Sequence, residues 1–338
     1  MIVITNFPSF YKINLYNKIF EKKKIEVIFL GKYSQYRFKS FSKFSFRFKG
    51  KFLSKEFYEK RIKFLSLIYL WIYLLRTKEN KLVITGWGEI EFWFAALFFK
   101  KKKTLILESN IYDSSKSKFK KYLKKFFLFF INEVIICGSH QKKLLNYLGY
   151  KKKIIISKGV GIINKEKKIF KNKKFKKNFL YVGRLEKEKN ILYLLSIFYK
   201  YKKYNLSILG DGSLKEKILK KITNVKNIKY YKKIDNKNII KIFKKNCFLI
   251  LPSIKEPWGL VVEESIFFKT PVILSKYCGV SEIVKNKKNG FIFNPNQKGS
   301  LEKILKNLNN QRYSNMINYI HKNPIKNDQQ QINSYLKI

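Results

Sequence analysis

Between residues 249 and 271 the chain reads LILPSIKEPWGLVVEESIFFKTP, and two carboxylates, Glu256 and Glu264, stand there with seven residues between them. Such a pair can serve as the acid and base of a hydrolase, or as acceptors for the hydroxyls of a bound sugar. The apolar run at 249–251 predicts a buried strand, stopped by Pro252 and Ser253. A loop with Glu256, Pro257, Trp258 and Gly259 follows, and a helical pattern runs from about Leu260 to Phe268. Glu256 then lies on the loop and Glu264 inside the helix, so one ligand at the helix N-terminus could be touched from both ends. Helix N-termini present free backbone N–H groups and a positive dipole end, which suit a phosphate.

A second group with chemistry follows the run FLYV: Gly183, Arg184, Leu185, Glu186, Lys187, Glu188, Lys189 and Asn190. Glycine lets the chain turn tightly. Arg184 and Lys189 put two cations at a helix start, where they do nothing for the dipole and call for an anionic ligand. A diphosphate fits, with Arg as a planar fork and Lys as a point charge. In so lysine-rich a chain, a solvated basic loop is the plain alternative. Gly210-Asp211-Gly212, after NLSIL, reads by itself as an ordinary turn. Residues 279–283, after PVILS, supply another loop with a helix start.

The elements that position these loops alternate between strand and helix. Residues 2–5, a helix at about 11–22 and a strand at 25–30 make a βαβ start. Residues 33–60 are irregular, basic and aromatic, and read as a pair of strands or as a lipid- or nucleic-acid-contacting surface. The apolar stretch 64–75, strand 81–86, helix 91–99, strand 104–109 and basic helix 117–132 come next. A strand EVIICGS, a helix QKKLLNYLG and a strand KIIIS follow. Beyond a lysine-laden linker at 164–178 the alternation resumes to about residue 310. Strands alternating with helices specify parallel sheets covered on both faces. The expectation is an α/β chain of two Rossmann-like domains, 1–163 and 179–310, facing across a cleft, with a tail at 311–338 returning as a helix to the first.

The 338 residues hold 74 Lys+Arg against 22 Asp+Glu, a net charge of +52. Codon composition accounts for part of this, but the scarcity of acids points to an anionic partner: an acidic lipid surface, nucleic acid or phosphorylated substrates. Cys137, Cys247 and Cys278 are far apart with no CxxC spacing, and read as reduced, buried thiols. They build no metal site with His140 and His321. The start of the chain has no long apolar core, so no signal peptide is expected. The apolar stretch 64–75 is short of the about 20 residues that span a bilayer, which makes it a core helix or an interfacial one.

YVGRLEKEKN, ILGDGSLKEKI and PSIKEPWGLVVEESIFFKTPVILSKYCGVSEIVKNKKNGFIF resemble, in order and spacing, the group 1 (family 4) glycosyltransferases. TNFPSFY and ICGSHQKKLLNYLG followed by KGV look like the acceptor domain of the same family. The resemblance implies a GT-B architecture and a metal-independent, hexosyltransferase-type enzyme (EC 2.4) that transfers a sugar with retention. It implies a nucleotide-diphosphate sugar as co-substrate, with no further cofactor and no metal. Arg184 and Lys189 would hold the diphosphate and stabilise it as a leaving group. Glu264 would bind the ribose, and Glu256 the donor sugar or the developing oxocarbenium charge. Gly183, Gly210, Gly212 and the backbone near Gly259 and Leu260 would line the phosphate and sugar. On the acceptor side, Asn6 replaces a glycine-rich loop, and Glu108 or His140 could occupy a cleft position, although GSHQ reads as a helix start.

In this family the acceptor is often a lipid-linked sugar or a growing polysaccharide, as in capsule, O-antigen, lipopolysaccharide or exopolysaccharide synthesis. Each Lys or Arg near an anionic bilayer contributes about 1 kcal/mol. Helix 117–132 and stretch 64–75 could therefore hold a cytoplasmic protein at the inner membrane face. The alternative is that both are core helices with solvated lysines. Two other functions compete: a GT-B-fold nucleotide-sugar epimerase, and a basic nucleic-acid-binding protein. No RNP, zinc-finger or KH pattern supports the latter.

Overall fold

The computed structural model describes residues 1–35, 45–113, 117–165, 174–231 and 236–338. The chain divides into two compact units, Met1–Asn164 with Lys326–Ile338, and Lys165–Ile325.

The first unit holds seven strands: β1 (Ile2–Thr5), β2 (Glu26–Phe29), β3 (Lys49–Phe52), β4 (Lys81–Ile84), β5 (Lys102–Leu107), β6 (Glu133–Ile136) and β7 (Lys153–Ile156). Their order is β3-β2-β1-β4-β5-β6-β7 and every pairing is parallel. Strands covered on both faces read as continuous apolar runs, and β1 is buried throughout. Its residues alternate between two cores: Ile2 and Ile4 face one, Val3 the other. The first core is closed by α2 (Lys63–Arg76), α3 (Ile90–Phe98), α4 (Lys118–Phe129) and α5 (Ser139–Tyr147), through Leu70, Phe92, Phe127 and Leu144. The second is closed by α1 (Phe10–Phe20) and the last helix of the chain, α12 (Asn327–Leu336), where Tyr16 meets Tyr335 edge to face.

The second unit has six strands: β8 (Asn178–Val182), β9 (Asn205–Leu209), β10 (Ile228–Tyr231), β11 (Phe248–Leu251), β12 (Val272–Ser275) and β13 (Gly290–Phe293). They run parallel in the order β10-β9-β8-β11-β12-β13. The helices are α6 (Ile191–Lys200), α7 (Lys215–Ile222), α8 (Asn236–Lys245), α9 (Leu260–Phe267), α10 (Ser300–Lys306) and α11 (Asn310–Lys322).

Several segments differ from the sequence reading. Within 33–60 the structure describes one strand, β3, and residues 36–44 of the expected pair lie outside the described residues. Stretch 64–75 forms α2, yet only Ser66 and Leu70 of it are buried. A helix apolar on every side can offer only one stripe to a flat sheet; Tyr73 and Leu74 pack partly against the core, while Phe64, Leu65, Tyr69, Trp71, Ile72 and Leu75 stay exposed. Residues 279–283 form a 3-10 turn, Gly279–Ile283. The linker expected at 164–178 spans the boundary between units; its residues 166–173 lie outside the described ones, and Phe175 already packs on Tyr313 in the second unit. The tail at 311–338 splits: α11 belongs to the second unit, with Tyr313 buried against Phe248, and α12 to the first.

Candidate functional site

In a doubly wound sheet, ligand-binding loops gather where the strand order reverses, beyond the carboxyl ends of the two central strands. In the second unit those strands are β8 and β11. The loop after β8 carries Gly183 to Asn190, and the loop after β11 carries Pro252 to Gly259. They meet through an ion pair: Lys189 Nζ donates to Glu256 Oε2 at 2.7 Å, with the two side chains only 9% and 15% exposed. Backbone bonds fix the pair from below. The amides of Ile254 and Lys255 donate to the Glu188 carbonyl at 2.9 and 3.3 Å, and Asn190 Nδ2 donates to the Pro252 carbonyl at 3.2 Å. Arg184 makes a second, more exposed pair with Glu188 at 3.0 Å. Both cations expected to meet a diphosphate thus have a carboxylate partner.

Two further loops are laced onto this frame. Gly183 N donates to the Leu209 carbonyl at 3.1 Å, and Leu185 N to the Asp211 carbonyl at 2.8 Å. Ser213 donates to Glu186 from its amide at 3.0 Å and its hydroxyl at 2.6 Å. These hydrogen bonds hold the Glu186 carboxyl below its usual range. Gly210 passes so close that a Cβ there would lie 1.9 Å from the Gly183 carbonyl oxygen. Gly210 and Gly212 are therefore more than an ordinary turn: they let the loop after β9 approach the cation-bearing loop. Beyond β12, Gly279 N donates to the Glu256 carbonyl and Val280 N to the Trp258 carbonyl, both at 3.0 Å.

Gly259 is the N-cap of α9 with φ 108°, a left-handed conformation that favours glycine. Leu260 opens the helix one residue after it. Glu264, on the next turn, is half-buried, and no described side chain pairs with its carboxyl; burial raises it from 4.5 to about 7. Glu263, which the sequence reading passed over, is buried and accepts from Trp258 Nε1 at 2.6 Å. It fixes the Trp258 side chain under the loop. Tyr181 was also missed: its buried hydroxyl donates to the Arg184 carbonyl at 2.7 Å.

In the first unit the strand order reverses between β1 and β4. Asn6 follows β1, and its Nδ2 donates to the Tyr58 hydroxyl at 3.3 Å. The Tyr58 hydroxyl in turn donates to Glu89, in the loop after β4. Arg61 completes the cluster with a 2.6 Å contact to Glu89 and a bidentate pair to Glu91, two bonds of 2.8 Å. Burial opposes the Arg61 charge, but the two carboxylates outweigh it and its pKa is raised. Sequence reasoning named Asn6 and missed Tyr58, Arg61, Glu89 and Glu91. Arginine is rare in this lysine-rich chain, occurring at positions 37, 47, 61, 76, 184 and 312, and that rarity is the signal that marks Arg61.

Glu108, just past β5, pairs instead with Lys12 of α1 at 2.9 Å. Its carbonyl accepts from Gln141 Nε2 at 2.9 Å, which brings it beside the start of α5. His140 is buried there as the second residue of α5, its ring edge-on to Tyr112 at 5.2 Å. Asn6 and Glu108 therefore join separate polar clusters. The three cysteines are buried and none forms a disulfide. Among the described residues no group of three or more His, Cys, Asp and Glu side chains gathers as a metal site.

Two doubly wound parallel units define the GT-B class, and solved structures of glycosyltransferases share the fold. The lipopolysaccharide outer core galactosyltransferase WaaB aligns with a TM-score of 0.66 over 100% of this chain and 99% of its own, at 16% identity. HepE of Anabaena, solved with UDP-glucose, aligns with a TM-score of 0.72 over 100% and 99%, at 12% identity. The family described as Glycosyl transferases group 1 matches residues 163–323, a stretch that takes in the Arg184, Lys189, Glu256 and Glu264 loops. A Klebsiella pneumoniae protein described as an uncharacterized 41.2 kDa protein in the cps region is 34% identical over 125 residues. That match covers 36% of this chain and 34% of the relative, so the chain spans about a third of that protein's length.

Proposed function

We propose that this protein is a retaining glycosyltransferase that moves a hexose from a nucleoside-diphosphate sugar to a lipid-linked or polysaccharide acceptor in cell-surface glycan synthesis. The observation that carries the reading is the Lys189–Glu256 pair at the switch point of the second unit, beside Arg184 and the N-terminus of α9. In the transfer, the bond from the anomeric carbon to the diphosphate breaks and a bond to the acceptor oxygen forms. The diphosphate leaves with the electron pair, and the proton of the acceptor hydroxyl passes to an oxygen of the departing diphosphate. Arg184 and Lys189 meet the negative charge that grows on the leaving group, which replaces a divalent metal. Glu256, already oriented by Lys189, accepts from a sugar hydroxyl and favours positive charge at the anomeric centre. Glu264 accepts from the ribose hydroxyls. Asn6, Glu108 and His140, at the strand and helix ends of the first unit, are the acceptor-side candidates. The Klebsiella relative in a cps region and the UDP-glucose complex of HepE support this assignment of donor and pathway class.

The setting that suits such an acceptor is the inner face of the cell membrane, held peripherally. Among the described residues no helix is long and apolar enough to cross a membrane. Thermal-shift measurements with UDP, GDP and an oligonucleotide test the reading. Stabilisation by a nucleoside diphosphate that is lost in Arg184→Ala supports transfer. Stabilisation by the oligonucleotide alone overturns it. Turnover that withstands EDTA checks the metal-free chemistry.

A further inference from the structure

Helices α2, α3 and α4 cover one face of the seven-stranded sheet, and each turns a second apolar side away from it. Their inner residues, Leu70, Phe92 and Phe127, belong to one core. α2 packs along α3, and α4 docks on α3 through Phe127, whose ring lies 4.9 Å from that of Trp93. The three outer sides therefore adjoin. Phe64, Trp71 and Leu75 of α2, Phe98 of α3, and Phe119 and Phe129 of α4 are each between 51% and 73% exposed. A contiguous exposed apolar surface of this kind marks an interaction site. Lysines 118, 120, 121, 124 and 125 interleave with it on α4.

We infer that this face is the surface by which the protein docks on an anionic lipid bilayer, with α2 and α4 lying in the plane of the headgroups. α2 has 14 residues, about 21 Å at 1.5 Å per residue, against a hydrocarbon core of about 30 Å. It can enter the interface and cannot span it. Aromatic side chains with lysines beside them match the headgroup boundary, where rings sit between acyl chains and water and cations meet anionic lipid. A second copy of this chain fits poorly. Neither α2 nor α4 contains a carboxylate, and the one acid of α3, Glu91, is turned inward to Arg61. Two such faces would bring lysines against lysines with nothing to neutralise them.

The inference rests on the proposed transfer reaction for its purpose, since a membrane-bound acceptor needs the enzyme at the membrane, but its test requires no turnover. Flotation with vesicles of phosphatidylcholine alone and of phosphatidylcholine with phosphatidylglycerol, at low ionic strength, measures binding directly. The intact protein is expected to float with the anionic vesicles and not with the neutral ones. The triple variant Phe64→Ser, Leu75→Ser, Phe119→Ser should bind about tenfold or more weakly, because the apolar insertion is lost while the charge is unchanged. Absence of wild-type flotation, equal binding to neutral vesicles, or undiminished binding by the triple variant overturns the proposal. So does a dimer seen by light scattering that the same substitutions abolish, without vesicle binding. UDP binding measured by calorimetry on the same preparations separates the two readings: UDP binding without flotation sinks the docking surface alone, and flotation without nucleotide binding sinks the transferase reading alone.

Discussion

Glu264 offers a prediction whose sign and size follow from its surroundings. Burial raises its carboxyl from 4.5 to about 7, so the folded protein keeps a proton there that the unfolded chain has already released. Stability changes with pH in proportion to the protons bound by the unfolded state minus those bound by the native state, and here that difference is negative. The stability contributed by the neutral acid is fully present below pH 4.5, falls as pH rises towards 7, and levels above it. At about 1.4 kcal/mol per unit, the fall amounts to at most about 3 kcal/mol. Glu264→Gln keeps the shape and cannot ionise, so it should remove this slope and stand more stable than wild type above pH 7. Urea unfolding of both proteins between pH 5 and pH 8 measures it, because titrations common to both cancel in the difference. A difference that stays constant across that range refutes the reasoning. Nucleotide binding gives a second readout. If ribose hydroxyls donate to the ionised carboxylate, UDP affinity should rise with pH through 7, by up to about tenfold per unit. The variant should show only the titration of UDP itself.

The Lys189–Glu256 pair should behave as a unit. Lys189→Met and Glu256→Gln should each cost about 2 kcal/mol by leaving a partly buried charge unpaired, and the double variant should cost less than the sum by about 1 kcal/mol or more; chemical denaturation of the four proteins gives the coupling, and strict additivity would count against the pair. Gly210→Ala should lower stability by about 2–3 kcal/mol or more, since its Cβ would meet the Gly183 carbonyl at 1.9 Å and backbone must move. Gly88→Ala, where nothing lies within 4 Å, is the control, and equal melting temperatures for the two variants would refute the close approach.

The candidate site of the second unit was legible because its residues lie in local runs. Gly183, Arg184 and Lys189 fall within one loop, and Glu256 and Gly259 within another, each directly after an apolar run that announces a strand. A parallel sheet then brings two such loops together at its switch point whatever the helices between them do. The first unit was less legible because its polar cluster is assembled from residues 6, 58, 61, 89 and 91, with a strand or a helix between most of them. No spacing rule links these positions. Exposure was also hidden: the periodicity of 64–75 shows an apolar helix but not which of its sides the sheet takes.

Lys189 and Arg184 illustrate how the proposed diphosphate site can be carried by a folded loop before any ligand arrives. Two cations within one loop repel each other, and without partners they would favour an open loop. Glu256 and Glu188 neutralise them at 2.7 and 3.0 Å. The two pairs differ in cover. Arg184 and Glu188 are exposed enough for solvent to screen them, so Arg184 can swing to a phosphate at little cost. Lys189 and Glu256 are shielded, and a diphosphate that takes Lys189 must leave Glu256 a new partner. A sugar hydroxyl on the same donor can supply it. In the proposed reaction, then, the two halves of one substrate satisfy the two halves of the pair, and a bare diphosphate should bind less well than its sugar-bearing form.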